Sequence, residues 1–306
     1  RVVTEYGGAM GAGARELAAE FAGTAIATAR SPRTVLAWME RQRLTVLPQV
    51  NAADLVALRS AEAQGDSARV AELEARMRRR SATSANNDTV DKLREALGDK
   101  MLISFTVHNG ETVACTLTSS SMRVHRLGGV AWEPHRVDVL DKRILGPLKI
   151  GDRPLVIVPA DGMSGWAALP SCVGRPVSVV PSAATWLRAA RAPKGHGNLA
   201  IGGPGLPHAR REVEALGYPV ISSKVDKVLR AIDGADTVHI AAHGKFRTDA
   251  PMFSYIQLTD GPLYGHDLAH LNRAPRLLVL SACEVARAEL FANALFDRGG
   301  QALIAS

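Results

Sequence analysis

The sequence predicts an α/β fold with a mostly parallel sheet flanked by helices, preceded by an α-helical region. Two observations lead to this prediction. Short apolar runs alternate with helical segments through the second half of the chain, a pattern typical of sheets with helices on both faces. Residues 10–97 are instead rich in Ala, Glu, Arg and Leu, which favour helices. We therefore expect a helical region at residues 1–98 and an α/β domain at residues 99–306.

Three helices stand out in the helical region. Ser31-Pro32 has the residues of a helix start, with Ser as the N-cap and Pro at the first helical position. A second helix is expected from about Ala52 to Leu58 and beyond, and a third near Val70 to Arg80, where Leu73 and Met77 share one face. Helix pairs of this kind suit a tetratricopeptide (TPR)-like array, but no repeat of about 34 residues is evident. A plain helical bundle is therefore an equal alternative.

A β-hairpin is predicted at about residues 101–118, where the α/β domain begins. Met101–His108 and Thr112–Thr118 have β-type patterns, and Asn109-Gly110 lies between them. Asn-Gly between two such runs is the strongest short-range hairpin signal. The other predicted strands share short apolar runs: Leu155–Pro159, Val177–Val180, Leu199–Gly202, Thr237–Ala242, Tyr255–Thr259, Leu277–Ser281 and Ala302–Ala305.

The composition is that of an ordinary globular protein. Hydrophobic residues make up 46% and charged residues 22% of the 306 residues, which argues against a disordered chain. No run of eighteen apolar residues occurs and no secretory signal is recognised at the start, so we predict no membrane span. The net charge of +7 leaves nucleic-acid binding as an alternative function. We do not expect it, because the basic residues are spread along the chain.

Three cysteines, Cys115, Cys172 and Cys283, lie far apart in the sequence. No CxxC pair occurs, which excludes a zinc ribbon and a thioredoxin-type motif. A disulfide framework is not expected in a chain of this length. We therefore expect a reducing, cytoplasmic compartment.

Two predicted strands end in reactive residues. The strand Thr237–Ala242 runs into His243-Gly244, and the strand Leu277–Ser281 runs into Ala282 and then Cys283. Open α/β sheets place their sites at the carboxyl ends of strands, so His243 and Cys283 would meet at one edge if the two strands are neighbours. His243 precedes Cys283 by 40 residues. A caspase-type signature has the same order, with about 50 residues between the two.

A cysteine protease needs such a pair. A thiol is a poor nucleophile until it loses its proton, and an adjacent imidazole makes the thiolate accessible near neutral pH. The same imidazole can then protonate the leaving amine. Gly244 allows a close approach of backbone to substrate, and its N–H could point at a developing oxyanion.

The second half of the chain resembles the CHAT family, a branch of the caspase–separase protease group, over about residues 150–306. The matching segments occur in the family's order: Leu155–Pro159 with Ala167–Pro170, Val179–Ser182, His239–Gly244, Leu258–Gly261 with Asp267-Leu268, Leu278–Cys283, and Gly299–Ser306. The resemblance implies a caspase-like fold. The helical N-terminal part is also similar to the helical repeats that often precede such domains. After Cys283 the chain departs from the family pattern, passing directly into a predicted helix near Glu289–Asp297 where the family has a longer polar segment.

The resemblance also implies a chemistry. His243 would be the general base and Cys283 the nucleophile, with the N–H groups of Gly244 and Cys283 as the oxyanion hole. The reaction would be cleavage of a peptide bond in a protein or peptide substrate, without metal or organic cofactor. A bacterial regulatory or defence role, and a regulatory protein partner bound through the helical N-terminal region, follow by analogy. The alternative is a catalytically silent caspase-like scaffold, against which the presence of both His243 and Cys283 argues.

Other residues near the expected site have competing interpretations. Glu284 and Asp260 are acidic and could attract a basic side chain in the first substrate pocket. His239 could pair with His243 on a metal, but with no third ligand evident we interpret it as packed behind the site. The two histidines of Gly265–His270 are expected on the surface, and the cluster Gly202–Gly205 as a loop rather than a phosphate cradle.

Overall fold

The structure is a computed structural model, and it describes residues 12–43, 50–78, 89–133, 135–247, 253–282 and 289–305. Two compact units emerge, each from two stretches of chain. The first combines residues 1–44 with 83–187, and the second combines residues 45–82 with 188–306. The domain boundary expected at residue 98 stays a prediction, because a compact unit is not the same as a domain that folds independently.

The helices and strands follow one another as the alternating pattern predicts. The described helices are α1 (Ala12–Thr28), α2 (Pro32–Gln42), α3 (Ala52–Ala63), α4 (Ser67–Arg78), α5 (Thr89–Leu97), α6 (Val137–Ile144), α7 (Ala183–Arg191), α8 (Ala209–Ala215), α9 (Val225–Ile232), α10 (Gly265–Leu268) and α11 (Glu289–Asp297). The described strands are β1 (Met101–His108), β2 (Glu111–Leu117), β3 (Met122–Gly128), β4 (Leu155–Val158), β5 (Val177–Val179), β6 (Asn198–Gly202), β7 (Val220–Ile221), β8 (Thr237–Ala241), β9 (Gly244–Lys245), β10 (Tyr255–Leu258), β11 (Gly261–Tyr264), β12 (Leu277–Ser281) and β13 (Ala302–Ala305). Within the described residues, no helix is both long enough and apolar enough to cross a membrane.

The start of α2 and the hairpin turn are confirmed. Ser31 takes the extended backbone of an N-cap residue and Pro32 is the first helical residue. Strands β1 and β2 pair in antiparallel register, with His108 opposite Glu111. Asn109 and Gly110 between them have φ values of 49° and 76°. Two successive positive φ angles define the turn that matches the twist of a hairpin, which is why Asn-Gly is favoured there.

The first unit is built around a mixed five-stranded sheet of order β3-β2-β1-β4-β5. Strands β1, β4 and β5 run parallel, whereas β2 and β3 are joined antiparallel at the other side. One hydrophobic cluster joins helices α1, α2, α5 and α7 to this sheet, and a second joins α6 to its strands. Glu40 of α2 accepts hydrogen bonds from the N–H groups of Ala183 and Ala184, so it caps the start of α7.

The second unit contains a fully parallel five-stranded sheet of order β13-β12-β8-β6-β7. Alternate residues of its strands face two different clusters. Val238, Ile240 and their neighbours pack with α9 and α11, whereas Ala200 and Ala241 pack with α8. Helices therefore cover both faces of this sheet, as the near-continuous apolar runs predict.

A three-stranded antiparallel sheet, β11-β10-β9, follows β8 in the same unit. The α3–α4 helix pair packs on it. Leu55, Leu58, Leu73 and Met77 form one cluster with Phe253 and the two tyrosines of this sheet. The predicted face shared by Leu73 and Met77 is thus the buried face of α4, whose expected extension to residue 80 lies outside the described residues.

The mixed α/β architecture confirms the predicted fold class. All seven strands predicted beyond the hairpin are present, with ends within one residue of the predicted ones. Four strands were not predicted: β3, β7, β9 and β11. β7 and β9 have two residues each, too few to show a period, and β3 has no buried residue.

Candidate active site

The two strands expected to carry the reactive residues are neighbours. β8 and β12 pair in parallel register, with Ala241 opposite Ser281 at their carboxyl ends. The N–H of Ala242 donates to the carbonyl oxygen of Ser281 at 3.2 Å, which extends the pairing one residue beyond β8. His243 therefore leaves the sheet at the edge where β12 ends. Cys283, two residues after Ser281 in the sequence, lies outside the described residues.

His243 is exposed in the short connection between β8 and β9. Its carbonyl oxygen accepts a hydrogen bond from the N–H of Gln257 at 2.8 Å, which fixes the backbone at this point. The imidazole lies beside the loop that follows β6, since a Cβ added at Gly205 would lie 3.7 Å from Nε2. His243 as a residue remains exposed in this arrangement.

Gly202 ends β6, and the rest of the Gly202–Gly205 cluster is a loop, as expected, which lies beside His243. The N–H of Gly203 donates to the carbonyl oxygen of Ala241 at 2.8 Å. A Cβ added at Gly203 would lie 2.5 Å from the Cβ of Ala242, closer than nonbonded carbons come. Only glycine allows the loop to approach the residue before His243 this closely.

Gly244 sits opposite Ile256 in the pairing of β9 with β10. The bond from Gln257 to His243 makes this a non-hydrogen-bonded pair of the antiparallel ladder. The ladder therefore does not use the N–H of Gly244.

His239 is packed, which confirms the interpretation of this residue from the sequence. Its Nε2 lies 2.8 Å from Oε1 of Glu212 in α8, and 13% of its side chain is exposed. Among the described residues, no group of three His, Cys, Asp or Glu side chains is placed to hold a metal ion. The glutamate partner was not foreseen, because α8 lies 27 residues earlier in the chain.

The two acidic residues predicted to bind substrate have different outcomes. Oδ1 of Asp260 accepts a hydrogen bond from the N–H of Val225 at 2.8 Å, so its carboxylate caps the first turn of α9. The carboxylate is exposed, and a substrate contact stays a prediction. Glu284 lies outside the described residues.

The surface position expected for the histidines of Gly265–His270 is wrong for His266. His270 is exposed, but His266 is only 1% exposed and its ring lies 5.9 Å from that of Phe253. Burial, and to a lesser degree the charge of His270, lowers the pKa of His266 to about 4. The helical spacing of two histidines carries no information about which one the fold buries.

An ion pair near the site was also missed. Arg247, four residues after His243, pairs with Glu74 of α4, and both side chains are largely buried. The two residues are 173 positions apart, so no local pattern could have linked them. The pair ties the segment after His243 to the α3–α4 helices of the same unit.

Comparison with known proteins gives one family and no curated relative. The family model of the CHAT domain matches residues 140–306. This range includes β8, the predicted catalytic residues and β12, and it begins ten residues before the stretch of about 150–306 over which the sequence resembles the family. No curated protein matches the chain.

Proposed function

The chain belongs to the CHAT-domain family, whose model matches more than half of its 306 residues, and on that premise we propose that it is a cysteine endopeptidase with a His243–Cys283 dyad. The observation that carries the proposal is the register of β8 with β12. Ala241 and Ser281 are paired, and each precedes its reactive residue by two positions. Parallel strands paired in this way deliver the residues that follow them to one edge of the sheet.

In the proposed reaction, His243 takes the proton of the Cys283 thiol and the thiolate attacks the carbonyl carbon of the scissile peptide bond. The protonated imidazole then gives its proton to the leaving amine, so the peptide bond breaks and a thioester remains on Cys283. Water, deprotonated by His243, attacks the thioester, releases the new carboxyl end and restores the thiol. The exposure of His243 supports this role, since the base must contact both substrate and water.

The oxyanion formed at each step would be bound by the N–H groups of Gly244 and Cys283. The position of Gly244 supports the first of these donors, because its N–H takes no part in the ladder with β10. Strand pairing holds such backbone donors in place, so they need little rearrangement as negative charge develops on the oxygen. They therefore stabilise the transition state more than the bound substrate.

The substrate would be a protein or peptide. We propose that Asp260 and Glu284 favour a basic residue before the cleaved bond. Asp260 is exposed and its Oδ1 is occupied by the N–H of Val225, which leaves Oδ2 for a cation. A peptide library cleaved without preference for Arg or Lys at that position would remove this part of the proposal.

The α3–α4 helices are the proposed place of regulation by a protein partner. The Glu74–Arg247 pair supports this, because it links α4 to the chain only four residues beyond His243. A partner that moved α4 would disturb that segment. A TPR-like identity of these helices, a bacterial defence role and a cytoplasmic location are part of the same proposal, the last supported by the free thiols of Cys115 and Cys172.

The proposal is tested by the reactivity of Cys283 towards iodoacetamide across pH 5 to 9, mapped by mass spectrometry. Cys115 and Cys172 serve as internal controls, because both are buried and burial raises the pKa of each thiol, that of Cys115 to about 12. We expect Cys283 to be alkylated well below the ordinary thiol pKa of about 8.5, and the His243→Ala variant to lose this acid-side reactivity.

The outcomes separate the proposed enzyme from the alternatives. A Cys283 that is alkylated no faster than the buried thiols, in a folded protein, would favour the silent scaffold. A Cys283 rate that does not depend on His243 would remove the dyad. Nucleic-acid binding has its own signature, a steep fall in affinity with rising salt.

A further inference from the structure

We propose that Glu212 and His239 form a positioning pair for His243, holding α8 and the glycine-rich loop before it against the imidazole. The inference rests on the proposed function in so far as His243 is the catalytic base. In this inference His239 helps to position the imidazole of His243. Metal binding was the alternative that its spacing from His243 left open.

The first support is the order of contacts along β8. Side chains at alternate positions of a strand point to the same face, so His239 and Ala241 share one face of β8. His239 contacts Glu212 at 2.8 Å, and Ala241 packs with Ala209 and Val213. His243 then comes beside Gly205. The glycine-rich loop and α8 therefore lie beside the chain from His239 to His243.

The second support is the low intrinsic stability of α8. The helix has only seven residues, and His208 at its N-cap position makes no side-chain capping bond. Helices this short are marginal in water, so α8 depends on its tertiary contacts. The small side chains of Ala209 and Val213 supply apolar packing, and the Glu212–His239 bond supplies a directional link.

The third support is how closely the loop approaches the site. Gly203 is hydrogen-bonded to Ala241 at the beginning of the loop, and α8 fixes its other end. Gly205 has a φ of 73°, a conformation that other residues rarely adopt. Since a methyl group at Gly205 would already touch Nε2 of His243, a small displacement of α8 would change the surroundings of the ring.

The test uses the full chain and four variants. Glu212→Ala removes the link, and Glu212→Gln keeps a side-chain acceptor for His239. Glu214→Ala is the matched control, because Glu214 lies on the same helix and pairs instead with the exposed Arg210. The ring signals of His243 are followed by NMR through a pH titration and are identified from their loss in His243→Gln. The pH profile of Cys283 alkylation is measured in parallel.

For Glu212→Ala we expect a displaced His243 ring signal and an alkylation rate lowered several-fold on the acid side, because a displaced imidazole is less well placed to take the thiol proton. Glu212→Gln should restore the ring signal, and Glu214→Ala should leave it unchanged. An unchanged signal in folded Glu212→Ala, or an equal change in Glu214→Ala, would overturn the inference. The ring signal decides it even if alkylation of Cys283 proves independent of His243, which would instead count against the proposed dyad.

Discussion

Arg59 of α3 holds the carboxylate of Asp267 in α10 with two hydrogen bonds, of 3.1 and 2.9 Å, from one guanidinium nitrogen. Asp267 is 3% exposed, and its Oδ2 also accepts the N–H of Tyr264. Asp267 lies inside the stretch that matches the CHAT domain, whereas Arg59 lies before it. A helix from outside the matched stretch therefore supplies the partner of a buried charge within it.

Asp267→Ala is expected to lower the free energy of unfolding by about 3–5 kcal/mol, because it leaves the largely buried Arg59 without its carboxylate. The measurement is urea unfolding followed by circular dichroism. Glu214→Ala, which breaks an exposed pair in the same unit, should give no measurable change. Equal midpoints for the two variants would mean that the pair does not hold α3 in place.

The buried His266 predicts an acid sensitivity of the fold. The pKa of His266 falls from 6.5 to about 4 on folding, so between these pH values the unfolded chain binds a proton that the folded protein does not. The free energy of unfolding should therefore fall as pH drops from 6.5 to 4, by on the order of 3 kcal/mol from this one group. The loss should be complete below pH 4, where both states are protonated.

His266→Leu isolates this contribution from the carboxylates that also titrate near pH 4. Leu is close to His in volume, and Nε2 of His266 makes no hydrogen bond within the described residues, so the substitution removes the titration without leaving a polar partner. Unfolding measured at pH 7 and pH 4 should show a smaller loss in the variant. His270→Gln removes only the weaker cause of the shift and should keep most of the wild-type dependence.

Met39 tests whether α2 is part of the first unit's core. It is fully buried in the cluster that joins α2 to β1, β2 and α7. Met39→Ala should lower the free energy of unfolding by about 2–5 kcal/mol, through lost burial and the cavity that remains. The comparison is Val139→Ala on the exposed side of α6, which should stay within about 0.5 kcal/mol of wild type by the same chemical denaturation. A cost no larger at Met39 would mean that α2 is dispensable.

Strand positions and the two strand-end residues could be predicted because each depends on a short stretch of chain. Apolar runs between turn residues placed β8 and β12, and Asn109-Gly110 placed the hairpin through its own backbone preference. The position of His243 beside the end of β12 followed once the sheet was taken to be parallel.

The partners of the site residues could not be predicted in this way. Glu212 contacts His239 across 27 residues of sequence, and Glu74 contacts Arg247 across 173. His266 is buried and His270 is exposed, although they share one helical spacing pattern. The family, most of the strands and two candidate residues at strand ends were thus readable from the sequence alone. The tertiary structure decided which strands are neighbours and which charges meet, because packing selects a partner from segments that local patterns leave independent.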